Sequence, residues 1–335
     1  MRAGRLGLVL GLFMGVLATP AAAQSVPETD CDRQAGLWLM PRAEGMAQAY
    51  AIADPGAAVA ACETAVADYP QEPFFAVLLA RAMVAAQPDD ARALAVLDDT
   101  SQHFPALFAG QLAQLYEQGL AGLPTSDRLA GESFFAACEH APDPFARPGC
   151  AGLAVMMIEG RGGPADEIRG FAMLEDLCNG DWPMACTDLA LKRELYGGAS
   201  EPEIAGFLAL ACEGGDLLGC SLLGFRHEVE LGVPHDMARA RALYQRACDG
   251  GEVHGCANLG EVFRSGLGVA PDVAQAVQLF DRACRGNDPY ACATLGSILA
   301  DGRGVPMDVV RAIEVYDRAC WLGDPEACDW ADSLR

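Results

Sequence analysis

Apolar positions in the second half of the chain follow two nested periods. The short one is helical. Ala240, Leu243, Tyr244 and Ala247 stand at i, i+3, i+4 and i+7, as do Ala276, Leu279, Phe280 and Ala283, then Ala312, Val315, Tyr316 and Ala319. That spacing gathers each set on one face of a helix. The long period is 36 residues and carries Cys212, Cys248, Cys284 and Cys320 together with Cys220, Cys256, Cys292 and Cys328. Asp236, Asp272 and Asp308 stand just before the first helix of each period, where an N-cap belongs. A second helix follows the cysteine pair, with stripes Cys256, Leu259, Gly260, Phe263 and Cys292, Leu295, Gly296, Leu299. Loops such as residues 266–271 and 302–306, rich in Gly and Pro, stop one helix and re-aim the next. The unit is a helical hairpin, and a fixed period of this length predicts a stacked array in which each unit buries its apolar face against its neighbours. Gly224, Gly260 and Gly296 recur inside helices, where Gly costs about 1 kcal/mol against Ala; close approach of a neighbouring helix backbone is the expected reason.

Earlier in the chain the same grammar is looser. A helix is expected from about Pro55 to Asp68. Pro73–Ala86 and Pro88–Asp99 read as a hairpin, with Phe74, Val77, Leu78 and Ala82 on one face. Leu107–Gly119 and Ser126–Cys138 form the next pair, and the unit opening at Cys150 keeps Gly160, Gly162 and Asp166 in register with Gly266, Gly268 and Asp272. The unit from Cys186 is two residues short and keeps its stripe as Ile204, Phe207, Leu208 and Ala211. About seven hairpins result, closed by a short C-terminal helix carrying Trp330.

The run from Cys256 to Ala291, CANLGEVFRSGLGVAPDVAQAVQLFDRACRGNDPYA, resembles a Sel1-like repeat, a relative of the tetratricopeptide repeat. Its added cysteine pair is similar to that of the Helicobacter cysteine-rich protein family. The resemblance is strongest over residues 148–335. It implies an all-α, right-handed α/α superhelical solenoid with one disulfide per repeat, working through contacts with proteins or peptides. It also implies a second function, since Sel1-like cysteine-rich proteins have been linked to penicillin binding and weak β-lactamase activity.

The first 23 residues change the setting. Arg2 and Arg5, an apolar run from Leu6 to Leu17, and Ala21-Ala22-Ala23 before Gln24 form the pattern of a secretory signal. Its apolar core is shorter than the roughly 20 residues that span a bilayer. The expected organisation is a signal peptide over 1–23, a helical tetratricopeptide-like segment over 24–103 and the repeat array over 104–335, in a periplasmic or secreted protein not inserted in a membrane after cleavage. Net charge is −23 and Lys192 is the only lysine. The acidity is spread along the chain, which argues against nucleic acid, whose recognition needs a basic face.

Fourteen cysteines in an exported chain point to a disulfide framework. Five pairs share the spacing C-x7-C: Cys178/Cys186, Cys212/Cys220, Cys248/Cys256, Cys284/Cys292 and Cys320/Cys328. In each, one cysteine ends a helix and the next opens another across a tight turn, where a bridge is feasible. Cys138/Cys150 has the same logic with a longer turn. Cys31 and Cys62 remain, and their pairing stays open. Zinc thiolates are the rival, but structural zinc sites favour C-x2-4-C pairs.

Candidate chemistry is sparse. Lys192 has Leu189 three residues before it, so S-x-x-K is absent, as are G-x-S-x-G and H-E-x-x-H. His103, His140, His227, His235 and His254 show no ligand spacing. His227 is expected in a packed stripe, and His235 and His254 in solvated loops. No catalytic, metal or cofactor residue is singled out. Positions facing away from the stripes, Arg226, Asn258, Glu261, Ser297 and Asp301, are the candidates for hydrogen bonding an extended peptide on the concave face. Trp38, Trp182, Trp321 and Trp330 are either partner anchors or packing residues. Three functions follow: an extracytoplasmic scaffold, a β-lactam-binding hydrolase, or a structural or redox-buffering envelope protein.

Overall fold

The structure, a computed structural model, describes residues 29–35, 52, 54–72, 74–98, 100–102, 104–141, 143–180 and 182–335. The signal-like segment and Trp38 lie outside the described residues, as does His103. The helices are α1 (Asp30–Ala35), α2 (Pro55–Asp68), α3 (Phe74–Ala86), α4 (Arg92–Asp98), α5 (Pro105–Gln118), α6 (Asp127–Cys138), α7 (Arg147–Glu159), α8 (Glu167–Asn179) and α9 (Pro183–Tyr196). They continue as α10 (Glu201–Glu213), α11 (Leu217–Val229), α12 (Met237–Asp249), α13 (Val253–Ser265), α14 (Val273–Arg285), α15 (Pro289–Asp301), α16 (Val309–Trp321) and α17 (Pro325–Leu334). No strand occurs among the described residues. The fold is an all-α solenoid of helical hairpins. The helix starting at Pro55 falls where the apolar pattern put it. The one expected from Pro88 starts later, at Arg92, because the Asp90 carboxylate accepts from the Arg92 backbone N–H at 3.0 Å and holds the preceding residues in a turn.

Each helix packs on the next, so the chain zigzags between two rows. From α5 onward the odd-numbered helices form one row and the even-numbered the other. In the odd row, α5 meets α7, α7 meets α9, α9 meets α11 and α11 meets α13; in the even row only α8 and α10 approach comparably. Closer packing on one row bends the stack toward it, so the odd row is the inner one.

Local sequence explains the element ends. Asp166, Asp216, Asp236, Asp272, Asp288, Asp308 and Asp324 each cap the helix that follows, the carboxylate accepting from backbone N–H groups of the first turn. Much of the acidity is thus spent on the positive ends of helices. At the other end, Gly160, Gly266 and Gly302 close inner helices in the left-handed conformation. Glu230 occupies the same place after α11, at φ 60°.

The aromatics of outer helices α12, α14 and α16 fill the core between rows. Tyr244 and Phe280 are fully buried, and Tyr316 nearly so. Their rings explain the recurring glycines. A Cβ on Gly224, Gly260 or Gly296 would stand 2.8, 3.1 or 2.6 Å from the ring of Tyr244, Phe280 or Tyr316. An aromatic ring rather than a bare helix backbone therefore lies nearest each glycine, and at Gly224 the expected backbone is there as well, the Ala240 carbonyl oxygen standing 3.3 Å from that Cβ. True close approach of helices happens one turn earlier, where a Cβ on Gly219 or Gly255 would come within 2.6 or 2.5 Å of the Ala211 or Ala247 methyl.

That approach sets up the bridges. Cys138–Cys150, Cys178–Cys186, Cys212–Cys220, Cys248–Cys256, Cys284–Cys292 and Cys320–Cys328 each join an outer helix to the inner helix after it, with Cα atoms 4.5–4.9 Å apart. Cys31–Cys62 joins α1 to α2, with Cα atoms 4.6 Å apart. No cysteine is free.

Candidate functional site: the inner face

The inner helices can be read against each other from the cysteine that opens them: Cys150, Cys186, Cys220, Cys256 and Cys292. The residues two, five and nine places on lie at i, i+3 and i+7 and share a helix face. In α7 they are Gly152, Val155 and Glu159; in α9, Asp188, Leu191 and Leu195; in α11, Leu222, Phe225 and Val229. In α13 they are Asn258, Glu261 and Ser265, and in α15 Thr294, Ser297 and Asp301. Four of the five residues proposed from sequence fall on this face. Asn258 is half-buried and its amide donates to the Ser221 hydroxyl at 3.5 Å. Glu261 accepts from Arg264 at 2.8 Å, from Ser265 at 2.5 Å and from the Tyr290 hydroxyl at 3.4 Å. Ser297 bonds the Tyr316 hydroxyl, and Asp301 pairs with Arg303 at 3.4 Å.

Arg226 does not belong with them. It is 3% exposed and ion-paired to Glu194 at 3.0 Å and Glu201 at 2.6 Å. Its place, six residues after the opening cysteine, is occupied in sister helices by Met156, Val262 and Ile298, all core residues. Register alone marks it as an inward position. Lys192 occupies the same place in α9 and is held by Glu159 of α7. Glu159 also accepts from Arg161 at 3.1 Å, and these two cations keep its carboxyl below the usual range against the opposing effect of burial. Arg161 in turn pairs with Glu117 at 2.6 Å and Asp127 at 2.9 Å.

Of the histidines His227, His235 and His254, two fall where expected and one does not. His227 is buried, its Nδ1 3.1 Å from the Pro234 carbonyl oxygen. His235 lies in a loop. His254 is not in a loop: it stands in the first turn of α13 with Nδ1 3.1 Å from the Asp288 carboxylate, whose bond raises its pKa. Trp182 is buried, Trp330 packs on Tyr316 with ring centroids 5.4 Å apart, and Trp321 is largely exposed.

Among the described residues, cavities open on the inner face. One, of about 740 Å³, lies between α13, α15 and α17 and is lined by Arg264, Tyr290, Thr294, Ser297, Tyr316 and Trp330. Another, of about 290 Å³, lies between α5, α7 and α9, with Glu117, Phe134, Trp182, Met184, Asp188 and Asp216 in its wall. Asp216 is spoken for, accepting from the Thr187 hydroxyl and from the Leu218 N–H at 3.1 Å. Asp188 has no hydrogen-bond donor among the described residues. Burial, and then the nearby Asp216 carboxylate, push its carboxyl up to about 7. Asp188 escaped the sequence reading because a single Asp in one repeat looks like a solvated surface residue. Lining up the inner helices would have put it on the face.

These features define a helical repeat scaffold with a stapled core and a variable inner face. The chain belongs to the Sel1-repeat proteins: the Sel1 repeat family matches residues 109–132, 148–178, 218–252, 253–288 and 289–324. No curated protein matches the sequence. Among solved structures, a Sel1 repeat protein from Oxalobacter formigenes shares 21% identity over 71% of this chain and 97% of its own, with a TM-score of 0.58. A protective antigen present in uropathogenic Escherichia coli strains, displaying an SLR fold, shares 18% over 82% of this chain and 58% of its own, with a TM-score of 0.50. Helicobacter pylori cysteine rich protein B shares 28% over 40% of this chain and 98% of its own, with a TM-score of 0.33.

Proposed function

We propose that the chain is an exported scaffold that binds a protein or peptide along its inner face. One observation carries this reading. The positions that pack the core repeat from helix to helix, whereas the three inner-face positions change from aliphatic to aromatic, amide, hydroxyl and carboxylate. Packing demands the first pattern, whereas the second, apart from unit-to-unit bonds such as Glu159 to Lys192 and Asn258 to Ser221, is free to serve recognition. Export is supported by the seven bridges, which persist in an oxidising compartment. No described helix is long and apolar enough to cross a membrane. Residues 1–23 supply the proposed signal, 24–103 a tetratricopeptide-like lead-in and 104–335 the array. Asn258, Glu261, Ser297 and Asp301 would meet the partner at its C-terminal end.

A photo-crosslinking residue at Ser297 (inner face) or at Gln245 (exposed on outer helix α12) tests the reading in extract from the exported compartment. Crosslinks to a discrete protein from position 297 and not from 245 are expected. Equal labelling from both faces, or none from 297, rejects it. N-terminal sequencing of the exported chain is expected to start at Gln24; a start at Met1 removes the export proposal.

A further inference from the structure

The middle of the inner face carries more exposed apolar surface than its register requires. Leu191 and Leu195 of α9 are 38% and 72% exposed, and Phe225 and Val229 of α11 are 47% and 46% exposed. Single apolar residues on a surface need no explanation, but a contiguous patch does. These four make two i, i+4 pairs on helices that touch each other. Asp188 lies one turn before Leu191 on the same face and enters the wall of the smaller cavity beside Trp182 and Met184. Its carboxylate lacks a donor. The nearest cation, Lys192, is bonded to Glu159, and Arg161 to Glu117, Asp127 and Glu159. A half-buried carboxylate whose one nearby cation, Lys192, is already paired with Glu159 is costly unless something supplies a further counter-charge. Among the described residues no group of three His, Cys, Asp or Glu converges to hold a metal ion, and the Phe134, Trp182 and Met184 walls of the cavity suit an organic cation. A net charge of −23 favours approach of such a group.

We propose that this region binds a peptide segment in which one basic side chain, entering the cavity against Asp188, is flanked by large apolar side chains that cover Leu191, Leu195, Phe225 and Val229. The proposal rests on the inner face being the binding face and specifies its chemistry. Trp182 and Phe134 offer apolar walls to the stem of the basic side chain, while Glu117 and Asp216 add negative potential behind Asp188. The arrangement works only while Asp188 is ionised. The charged groups bearing on it are Lys192 of its own helix, Glu159 and Arg161 at the end of α7, Glu117 of α5 and Asp216 at the start of α11. A bound cation shifts Asp188 toward ionisation, so affinity rises with pH as that carboxyl loses its proton.

The test uses oxidised full-length chain and follows the Trp182 indole N–H by NMR, assigned with Trp182→Phe. Three probes are compared: acetyl-Leu-Arg-Leu-amide, its citrulline counterpart, and acetyl-Gly-Arg-Gly-amide. The arginine peptide is expected to bind at least about tenfold more tightly than the citrulline one, whose side chain has the same shape without the charge. Asp188→Asn should erase that preference and Asp249→Asn, at an exposed carboxylate of outer helix α12, should leave it intact. Leu191→Ser with Phe225→Ser should bring the leucine peptide down to the glycine peptide's affinity while keeping the preference for arginine. Equal binding of arginine and citrulline, a preference that survives Asp188→Asn, or no binding by any probe overturns the proposal. Crosslinks from position 297 without an arginine preference would sink this inference and leave the broader reading standing. An arginine preference without crosslinks would do the reverse.

Discussion

The inner faces of α9–α11 and of α13–α15 are built on one frame and carry opposite chemistry. At matching places the first pair shows Asp188, Leu191, Leu195 and Leu222, Phe225, Val229, and the second Asn258, Glu261, Ser265 and Thr294, Ser297, Asp301. Behind both faces the core is nearly the same: a bridged cysteine pair, alanines at the crossings and, in α11, α13 and α15, an aromatic ring on a glycine, a place filled by Ala190 and Leu208 at α9. The exceptions are Lys192 and Arg226, cations at core places in the apolar region, each neutralised by a neighbouring unit. The array thus separates what holds it together from what it shows to a partner. The apolar stretch is the part whose surface cannot be explained by stacking alone.

Several changes would break or sharpen this contrast. The largest effect is expected in the shared frame. Adding a methyl at Gly296, Gly224 or Gly260 should destabilise in that order, following the 2.6, 2.8 and 3.1 Å distances to the facing rings. The loss runs from about 3 kcal/mol down to about 1, read from denaturant midpoints; an inverted order would mean that the rings are free to move aside.

Arg226 comes next. Arg226→Ala should cost about 2–3 kcal/mol, because it opens a hole and strips Glu194 and Glu201 of their partner, while Arg226→Met, the residue found at the same place in α7, should cost less than about 1. Equal losses would show that the ion pair itself is required.

Asp188 should make the apolar region sensitive to pH. Its carboxyl is raised to about 7 in the folded chain, above the value near 4 of an unfolded Asp. The folded state therefore binds the proton more tightly, and stability falls as pH rises from about 4 to 7. Asp188→Asn should match the parent near pH 4 and exceed it at pH 8, by roughly 1–2 kcal/mol after allowing for partial solvent access. Asp216 and Glu252 are raised in the same direction by burial, so the parent-minus-variant difference is the measurement that isolates Asp188.

A smaller gain is expected from Glu230→Gly, which puts the residue found at the ends of α7, α13 and α15 where a side chain now sits at φ 60°. About 1 kcal/mol of stability should appear, and its absence would mean the carboxylate offsets the backbone cost. The smallest change belongs to the surface itself. Leu191→Glu with Phe225→Ser copies the α13–α15 chemistry onto α9–α11 and should move stability by no more than about 0.5 kcal/mol.

Much of this architecture was legible in the chain. The helical period, the 36-residue repeat and the Asp and Gly punctuation depend on neighbours within one turn or one loop, so they leave a mark that can be counted. The cysteine pairs were legible for the same reason, their separation of eight residues being short enough for one turn to bring them together. Arg226 was misplaced because a charged residue reads as exposed unless its sisters Met156, Val262 and Ile298 are set beside it. His254 was misplaced because α13 starts at Val253, capped by the Glu252 carboxylate, three residues before the cysteine that opens the apolar stripe. The ring on each recurring glycine was missed because Tyr244, Phe280 and Tyr316 reach it across a loop from the next helix.

By itself the sequence determined the hairpin, its period, its staples and its acidity, since each follows from local spacing and composition. Tertiary structure alone decided which carboxylate is left without a donor and which apolar side chains stay uncovered. Those properties depend on contacts between units whose distance along the chain carries no trace in any single stretch of residues.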